Sequence, residues 1–227
     1  MVPDDVHSSQ NIHSRKEAPP EARILLVTGS PRKNGNSEGI AAHVASTAEK
    51  AGVPCFHARL PDYRFDPCSG CELCRKTGTC AGLQDGMQLL YPLVVKSSGL
   101  ILISPVHNYN VTAWMKAFID RLYCFYDFMG DRPGPWSSRL AGQGRKAAVV
   151  SVGEQHGKEG IGMTLEAMRL PLEALGYEIL EELPVTGVFP RGGALKSPEV
   201  TGRVTELALK TATAVARGPL AKPDSEV

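Results

Sequence analysis

The stretch "RILLVTGSPRKNGNSEG", residues 23–39, decides how this chain folds. Its first half is an apolar run, Ile24 to Val27, that reads as a strand. A loop with three glycines, Gly29, Gly35 and Gly39, follows at once. Beyond it the pattern turns helical over 37–51, with Ser37 as a natural N-cap and Gly52 as a stop. Strand, glycine-rich turn and helix in that order form the opening unit of a parallel α/β sheet.

The same alternation continues along the chain. "PCFHARL" is a second strand, and a helix spans 84–97. "LILIS" after Gly99 is a third strand, leading to a helical segment, "TAWMKAFIDRLYC", that is apolar on most of its circumference. "RKAAVVSV" and "YEILEELPV" are the fourth and fifth strands, each followed by a helix, over 163–175 and 198–216. Five strands with crossover helices predict a doubly wound parallel sheet in the flavodoxin-like order 2-1-3-4-5, with a cysteine-rich loop inserted after strand 2. The sheet forms a single domain over 23–217. In that order the ligand crevice lies at the carboxyl ends of strands one and three, so the two loops leaving those strands are the candidate site.

The first loop carries hydroxyls at Ser30 and Ser37, amides at Asn34 and Asn36, and cations at Arg32 and Lys33, all ahead of a helix N-terminus. Free N–H groups and the positive end of the helix dipole make such a place an anion site. It lacks the Gly-Lys-Ser/Thr ending of a nucleoside-triphosphate loop and the Gly-x-Gly-x-x-Gly of a dinucleotide loop. A terminal phosphomonoester such as that of FMN suits it. A plain glycine-rich turn would need neither the cations nor the hydroxyls.

The second loop, "SPVHNYNVTAWMKAFIDR" (residues 104–121), begins with Pro105, which sets the direction of exit from the sheet. His107, Asn108, Tyr109 and Asn110 then crowd planar polar groups together before Thr112 caps a helix. A flat apolar surface with amide donors at its edge is what a flavin ring requires; a polar surface turn is the other reading. A weaker signal is "SVGEQHG" after the fourth strand, where Gly153 can let backbone approach a ring.

Four of the six cysteines fall in "CSGCELCRKTGTC", as Cys68, Cys71, Cys74 and Cys80. The spacing C-x2-C-x2-C-x5-C resembles the run that wraps one side of an iron–sulfur cube, and Gly78 permits the reversal that returns Cys80 to the same centre. Structural zinc more often takes two C-x2-C pairs set further apart. Bare thiols are the third alternative. Cys55 and Cys124 read as inert core thiols.

"GSPRKNGNSE" and "SPVHNYNVTAWMKAFIDR", with the cysteine segment between them, resemble the NADPH-dependent FMN reductase superfamily, and within it the iron–sulfur flavoprotein family. The similarity covers roughly residues 24–177 and implies a flavodoxin-like fold. It implies FMN phosphate binding by Ser30, Arg32, Asn36 and Ser37. It also implies a flavin cradle from Pro105, Val106, Asn108, Tyr109 and Asn110. His107 stands where that family often has an aromatic residue, and an imidazole there can tune flavin protonation. The cysteine spacing matches the family's compact motif for a [4Fe–4S] cluster.

The implied function is electron transfer by FMN and the cluster, between a one-electron carrier such as a ferredoxin and a two-electron acceptor. An NAD(P)H-dependent FMN or quinone reductase without a cluster is the alternative, with NAD(P)H as donor. A zinc-stapled interaction module is the alternative of another class.

Composition narrows the remaining possibilities. A formal net charge of +1 over 227 residues gives no reason to expect nucleic acid or an anionic membrane as partner. The N-terminal 1–22 has no apolar h-region and reads as a disordered tail; 218–227 reads as a loose C-terminal tail. The expected compartment is a reducing cytoplasm, where clustered cysteines bind metal or react rather than pair. The aromatics of "RLYCFYDFMG" predict a homodimer or homotetramer through 113–130.

Overall fold

The computed structural model describes residues 17–131 and 133–218; the expected tails at 1–16 and 219–227 lie outside the described residues. Its centre is a five-stranded parallel sheet in the order β2-β1-β3-β6-β7, built from β1 (Glu21–Thr28), β2 (Cys55–Arg59), β3 (Ser97–Pro105), β6 (Lys146–Val152) and β7 (Glu178–Val185). Counted within that sheet alone, this is the expected 2-1-3-4-5. The two middle strands are apolar and buried on both faces, as parallel sheets covered by helices require.

Two packed layers follow from strand alternation. Leu25, Val27, Leu100 and Leu102 face one way, towards α3 (Met87–Lys96), α4 (Ala113–Arg121) and α5 (Thr164–Ala174). Ile24, Leu26, Ile101 and Ile103 face the other way, towards α1 (Asn36–Lys50) and α6 (Pro198–Ala216). Crossovers on both faces place the carboxyl ends of β1 and β3 side by side, where the chain departs in opposite directions.

The element boundaries differ from expectation in ways that bear on the site. β1 begins at Glu21, inside the expected tail, and Glu17 is tied to the body through Arg139 Nε at 3.1 Å. α1 starts at Asn36 after Gly35, and Ser37 does not cap it. α3 begins only at Met87, after Gly86, and Asp85 Oδ1 just ahead of it accepts from Met87 N–H at 3.0 Å.

The expected helix over 112–124 stops at Arg121. A 3-10 turn (Leu122–Phe125) follows, then a hairpin of β4 (Tyr126–Phe128) and β5 (Trp136–Ser138). Aromatic residues suit a pleated surface: Tyr126 meets Tyr123, Phe128 and Trp136 edge to face and Tyr123 tilts against Phe128, with ring centroids 5.1–6.4 Å apart. Among the described residues no helix is long and apolar enough to cross a membrane.

Candidate functional site

A cleft of about 160 Å³ opens at the carboxyl ends of β1 and β3. Ser30, Arg32, Asn36 and Ser37 line it from the first loop, and Pro105, Val106 and His107 from the second. Ser30 and Ser37 are buried, and no side chain caps the first turn of α1. The N–H groups of that turn therefore face the cleft side of the helix without a side-chain partner, as an anion site requires.

Gly29 locks the two loops together. Its N–H donates to Ile103 O at 3.0 Å, and its carbonyl accepts from Thr112 Oγ1 at 2.8 Å. Thr112 Oγ1 also accepts from Met115 N–H at 3.2 Å, so one hydroxyl caps α4 and ties it to the first loop. A Cβ at position 29 would stand 2.7 Å from that oxygen, so only glycine fits.

The sequence signals missed a second rank of residues. Arg59, at the end of β2, donates to the Pro31 carbonyl at 2.9 Å and pairs with Glu38, whose other oxygen accepts from Asn34 N–H at 2.6 Å. Asn34 is held at φ +53°, a left-handed conformation that its short polar side chain tolerates. Val188, Phe189 and Arg191 reach the cleft from the loop after β7. Arg32 stacks over the Phe189 ring at 5.0 Å.

Asn36 is spent on holding that loop. Its Nδ2 donates to Pro190 O at 3.0 Å, and its Oδ1 accepts from Ala194 N–H at 3.1 Å. A glycine- and proline-rich run with one aromatic and one cation, "TGVFPRGG", was the available signal.

His107 to Asn110 form a two-residue hairpin turn. His107 N–H donates to Asn110 O at 2.8 Å, Asn110 N–H donates back at 3.1 Å, and Asn108 and Tyr109 have φ of +50° and +63°. Positive φ at both central positions is the type I′ geometry. Asn108, Tyr109 and Asn110 lie outside the enclosed cleft, on the exposed rim beside it. Tyr109 is 64% exposed, so its ring gains little from burial while its backbone is strained. Tyr109→Gly should raise stability by about 1 kcal/mol, or roughly 2–4 °C in Tm. A lower Tm in a thermal melt would show that the ring contributes more to the fold than its backbone costs.

Gly153 lies between Val152 and Glu154, which line the cleft, and is not itself among the lining residues. Its N–H and carbonyl are both taken, by Val185 O at 2.8 Å and Val188 N–H at 3.0 Å.

A second hollow, of about 400 Å³, is walled by Cys68, Cys71, Cys74 and Cys80 together with Asp120, Arg121, Tyr123 and Cys124. Cys68 and Cys71 are exposed, Cys74 and Cys80 half-buried, and Cys124 buried. The short helix α2 (Leu73–Thr77) carries Cys74 and precedes Cys80, and its Arg75 stacks on Phe128 of the hairpin at 4.2 Å.

The thiols sense one another. Burial first, then the charges of Cys80, Cys68 and Cys71, push the Cys74 thiol up. The Leu73 N–H, then the Ser69 hydroxyl, hold Cys71 below its ordinary value. Burial, followed by Cys74, pushes Cys124 to about 12. Among the described residues no group of three His, Cys, Asp or Glu side chains converges closely enough for a single metal ion. The thiols ring a hollow instead. Gly82 keeps it open, because a Cβ there would stand 2.7 Å from Cys71 Sγ.

A doubly wound parallel sheet with a cleft at its β1/β3 switch point, lined by the N-terminus of α1, defines a flavodoxin-like α/β protein. The family model for NADPH-dependent FMN reductase matches residues 22–176. The chain belongs to that family of flavin-dependent oxidoreductases, and within it to the iron–sulfur flavoproteins; its flavin is FMN.

An iron–sulfur flavoprotein of Archaeoglobus fulgidus is 32% identical over 191 residues, covering 84% of this chain and 76% of that one. One from Methanosarcina thermophila is 30% identical over 99 residues, covering 44% of this chain and 51% of its relative, so the chain spans only about half the length of the latter. Among solved structures, the NAD(P)H:quinone oxidoreductase of Methanothermobacter marburgensis superposes with a TM-score of 0.60 at 14% identity, covering 85% of this chain and 98% of that one. An FMN-dependent NADH-azoreductase of Bacillus anthracis, in complex with FMN, gives 0.59 at 13%, covering 84% and 99%. At such identities these structures bear on the fold alone.

Proposed function

We propose that this FMN-dependent oxidoreductase carries a [4Fe–4S] cluster on Cys68, Cys71, Cys74 and Cys80. It passes electrons between a one-electron carrier of the ferredoxin class and a two-electron acceptor. The observation that carries this reading is that all four cysteines line one hollow of about 400 Å³, which has room for a polynuclear group. A C-x2-C-x2-C-x5-C run supplies the four thiolates such a cluster takes. When bound, FMN exchanges one or two electrons and the cluster one at a time.

The chain's own residues bind and orient. The Ser30 and Ser37 hydroxyls and the first turn of α1 hold the phosphate, and Arg32 and Arg191 balance its charge. The enclosed volume is below the ~300–1,000 Å³ of a whole drug-sized site, so it takes the anionic end of the cofactor. The 105–110 turn supports the ring, with Pro105, Val106 and His107 lining the cleft. Electron transfer requires no side chain as acid or base, and none is assigned.

We propose a homodimer or homotetramer through 113–130. α4 has Thr112 at the flavin end and Arg121 at the cysteine hollow, so its nine residues set the two sites about 13 Å or more apart along the helix. Bringing the hollow of one subunit to the flavin of another shortens that path. Trp114, Met129 and Trp136 leave apolar surface exposed there for the contact.

The test is iron, acid-labile sulfide, zinc and FMN per chain, on protein purified without oxygen. Four irons and four sulfides beside one FMN are expected, at about the stoichiometry of a [4Fe–4S] site. FMN without iron, sulfide or zinc would replace this reading with a NAD(P)H-dependent FMN or quinone reductase.

A further inference from the structure

Arg121 and Arg145 are the largest fully buried side chains among the described residues, and Arg121 binds both ends of one loop. Its Nη1 donates to Asp66 O at 2.8 Å and to Asp85 Oδ2 at 2.7 Å, and its Nη2 donates to Asp85 Oδ1 at 3.1 Å. Its Nε donates to the Tyr91 hydroxyl at 3.2 Å. Asp85 in turn accepts from Asp66 N–H at 3.2 Å and from Met87 N–H at 3.0 Å. Asp66 and Asp85 are the two ends of the segment that carries the cysteines. Next to them, Gly86 N–H donates to Arg64 O at 2.8 Å. One buried bidentate ion pair therefore closes the cysteine loop at its neck.

Arg121 also lines the hollow, and its charge, after the Leu73 N–H and the Ser69 hydroxyl, helps to hold the Cys71 thiol down. Among the described residues lining it, Arg121 is the one cation. Burial opposes charge on Arg121, but Asp85 and then Tyr91 more than offset this, so it stays protonated. Four thiolates gathered in one place carry strong negative charge. In a half-buried setting, a fixed positive charge beside them acts with little screening.

We propose that the Arg121–Asp85 pair is a positioning device for the iron–sulfur site: it holds the cysteine loop closed without the cluster and sets the cluster's reduction potential by its charge. The inference rests on the cluster reading. Arg121 stabilises the more negative, reduced state, and Asp85 disfavours it. The pair balances them, and of the two only Arg121 lines the hollow. Removing either partner therefore moves the potential in opposite directions. A role confined to loop closure would move both variants the same way or leave the potential alone.

The experiment compares the wild type with Arg121→Gln, Arg121→Lys and Asp85→Asn, all purified anaerobically. Iron, sulfide and FMN are counted, clusters are reconstituted with iron and sulfide where depleted, and the cluster is titrated by EPR at poised potentials. Arg121→Gln should make reduction about tenfold less favourable, about 59 mV lower for a one-electron couple. Asp85→Asn should shift it by a similar factor the other way, and Arg121→Lys should return close to the wild-type potential. Before reconstitution, Arg121→Gln and Asp85→Asn should hold less iron than the wild type at equal FMN.

Shifts of the same sign, or none, in loaded variants overturn the proposal while leaving the cluster reading intact. A wild type with FMN and no iron or sulfide removes both. If Arg121→Gln loses FMN as well, its fold has failed, and the opposed Asp85→Asn and restored Arg121→Lys values decide.

Discussion

Gly29→Ala is expected to lower Tm by about 2–12 °C and to weaken FMN retention at the same time. The added Cβ would stand 2.7 Å from Thr112 Oγ1 and 3.0 Å from Met115 Cβ. Neither neighbour can easily give way. Thr112 Oγ1 is fixed by donating to the Gly29 carbonyl and accepting from Met115 N–H, and Met115 is fully buried beneath the sheet. Overpacking of this kind costs about 1–3 kcal/mol, and each kcal/mol is roughly 2–4 °C in a domain of this size.

The strain falls where the phosphate loop meets the N-terminus of α4, so it moves Ser30 and the 105–110 turn relative to each other. Differential scanning fluorimetry with and without added FMN measures both effects. A variant that melts and retains flavin like the wild type would mean that the two loops are not locked through Gly29.

Serine at any one of Cys68, Cys71, Cys74 or Cys80 is expected to remove nearly all iron and sulfide while leaving about one FMN per chain. The reason is spatial. The cysteine hollow lies at the far end of α4 from the flavin cleft, and the two share no lining residue. The control is Cys55→Ser. Cys55 sits on β2 away from the hollow, where burial, then Glu49, pushes its thiol to about 11.

Iron retained in all four variants would sink the assignment of these ligands. Flavin lost together with iron would mean that the cysteine loop supports the cleft in a way the packing does not suggest. Iron lost from Cys55→Ser as well would point to general destabilisation of the fold.

The sheet order was readable because each strand announces itself locally. The apolar runs in β1 and β3, the glycine turns and the 3.6-residue stripes of the helices are properties of neighbouring residues. The switch-point rule then located both site loops without any side-chain information. Thr112 was legible as a helix cap for the same reason: residue type and position determine that bond.

Errors arose where distant chain segments compete for one group. Ser37 looked like a cap by type, but it is buried in the cleft wall, and the helix starts a residue earlier. Asn36, read towards phosphate, does line the cleft, but its amide also bonds to Pro190 and Ala194, some 150 positions away in sequence, which no local pattern records. The helix expected through residue 124 ends at Arg121, whose side chain turns to the neck of the cysteine loop.

The amino-acid sequence by itself determined the fold, the position of the cleft at the switch point and the set of clustered thiols, because strand burial, turn chemistry and cysteine spacing are written in short windows. Only the tertiary structure decided which groups brace them. Arg59 behind the phosphate loop, Phe189 and Arg191 across the cleft, and Arg121 with Asp85 at the neck of the cysteine loop are brought together from separate segments. A buried guanidinium must find its partners wherever the packed chain presents them, and no local pattern records where that will be.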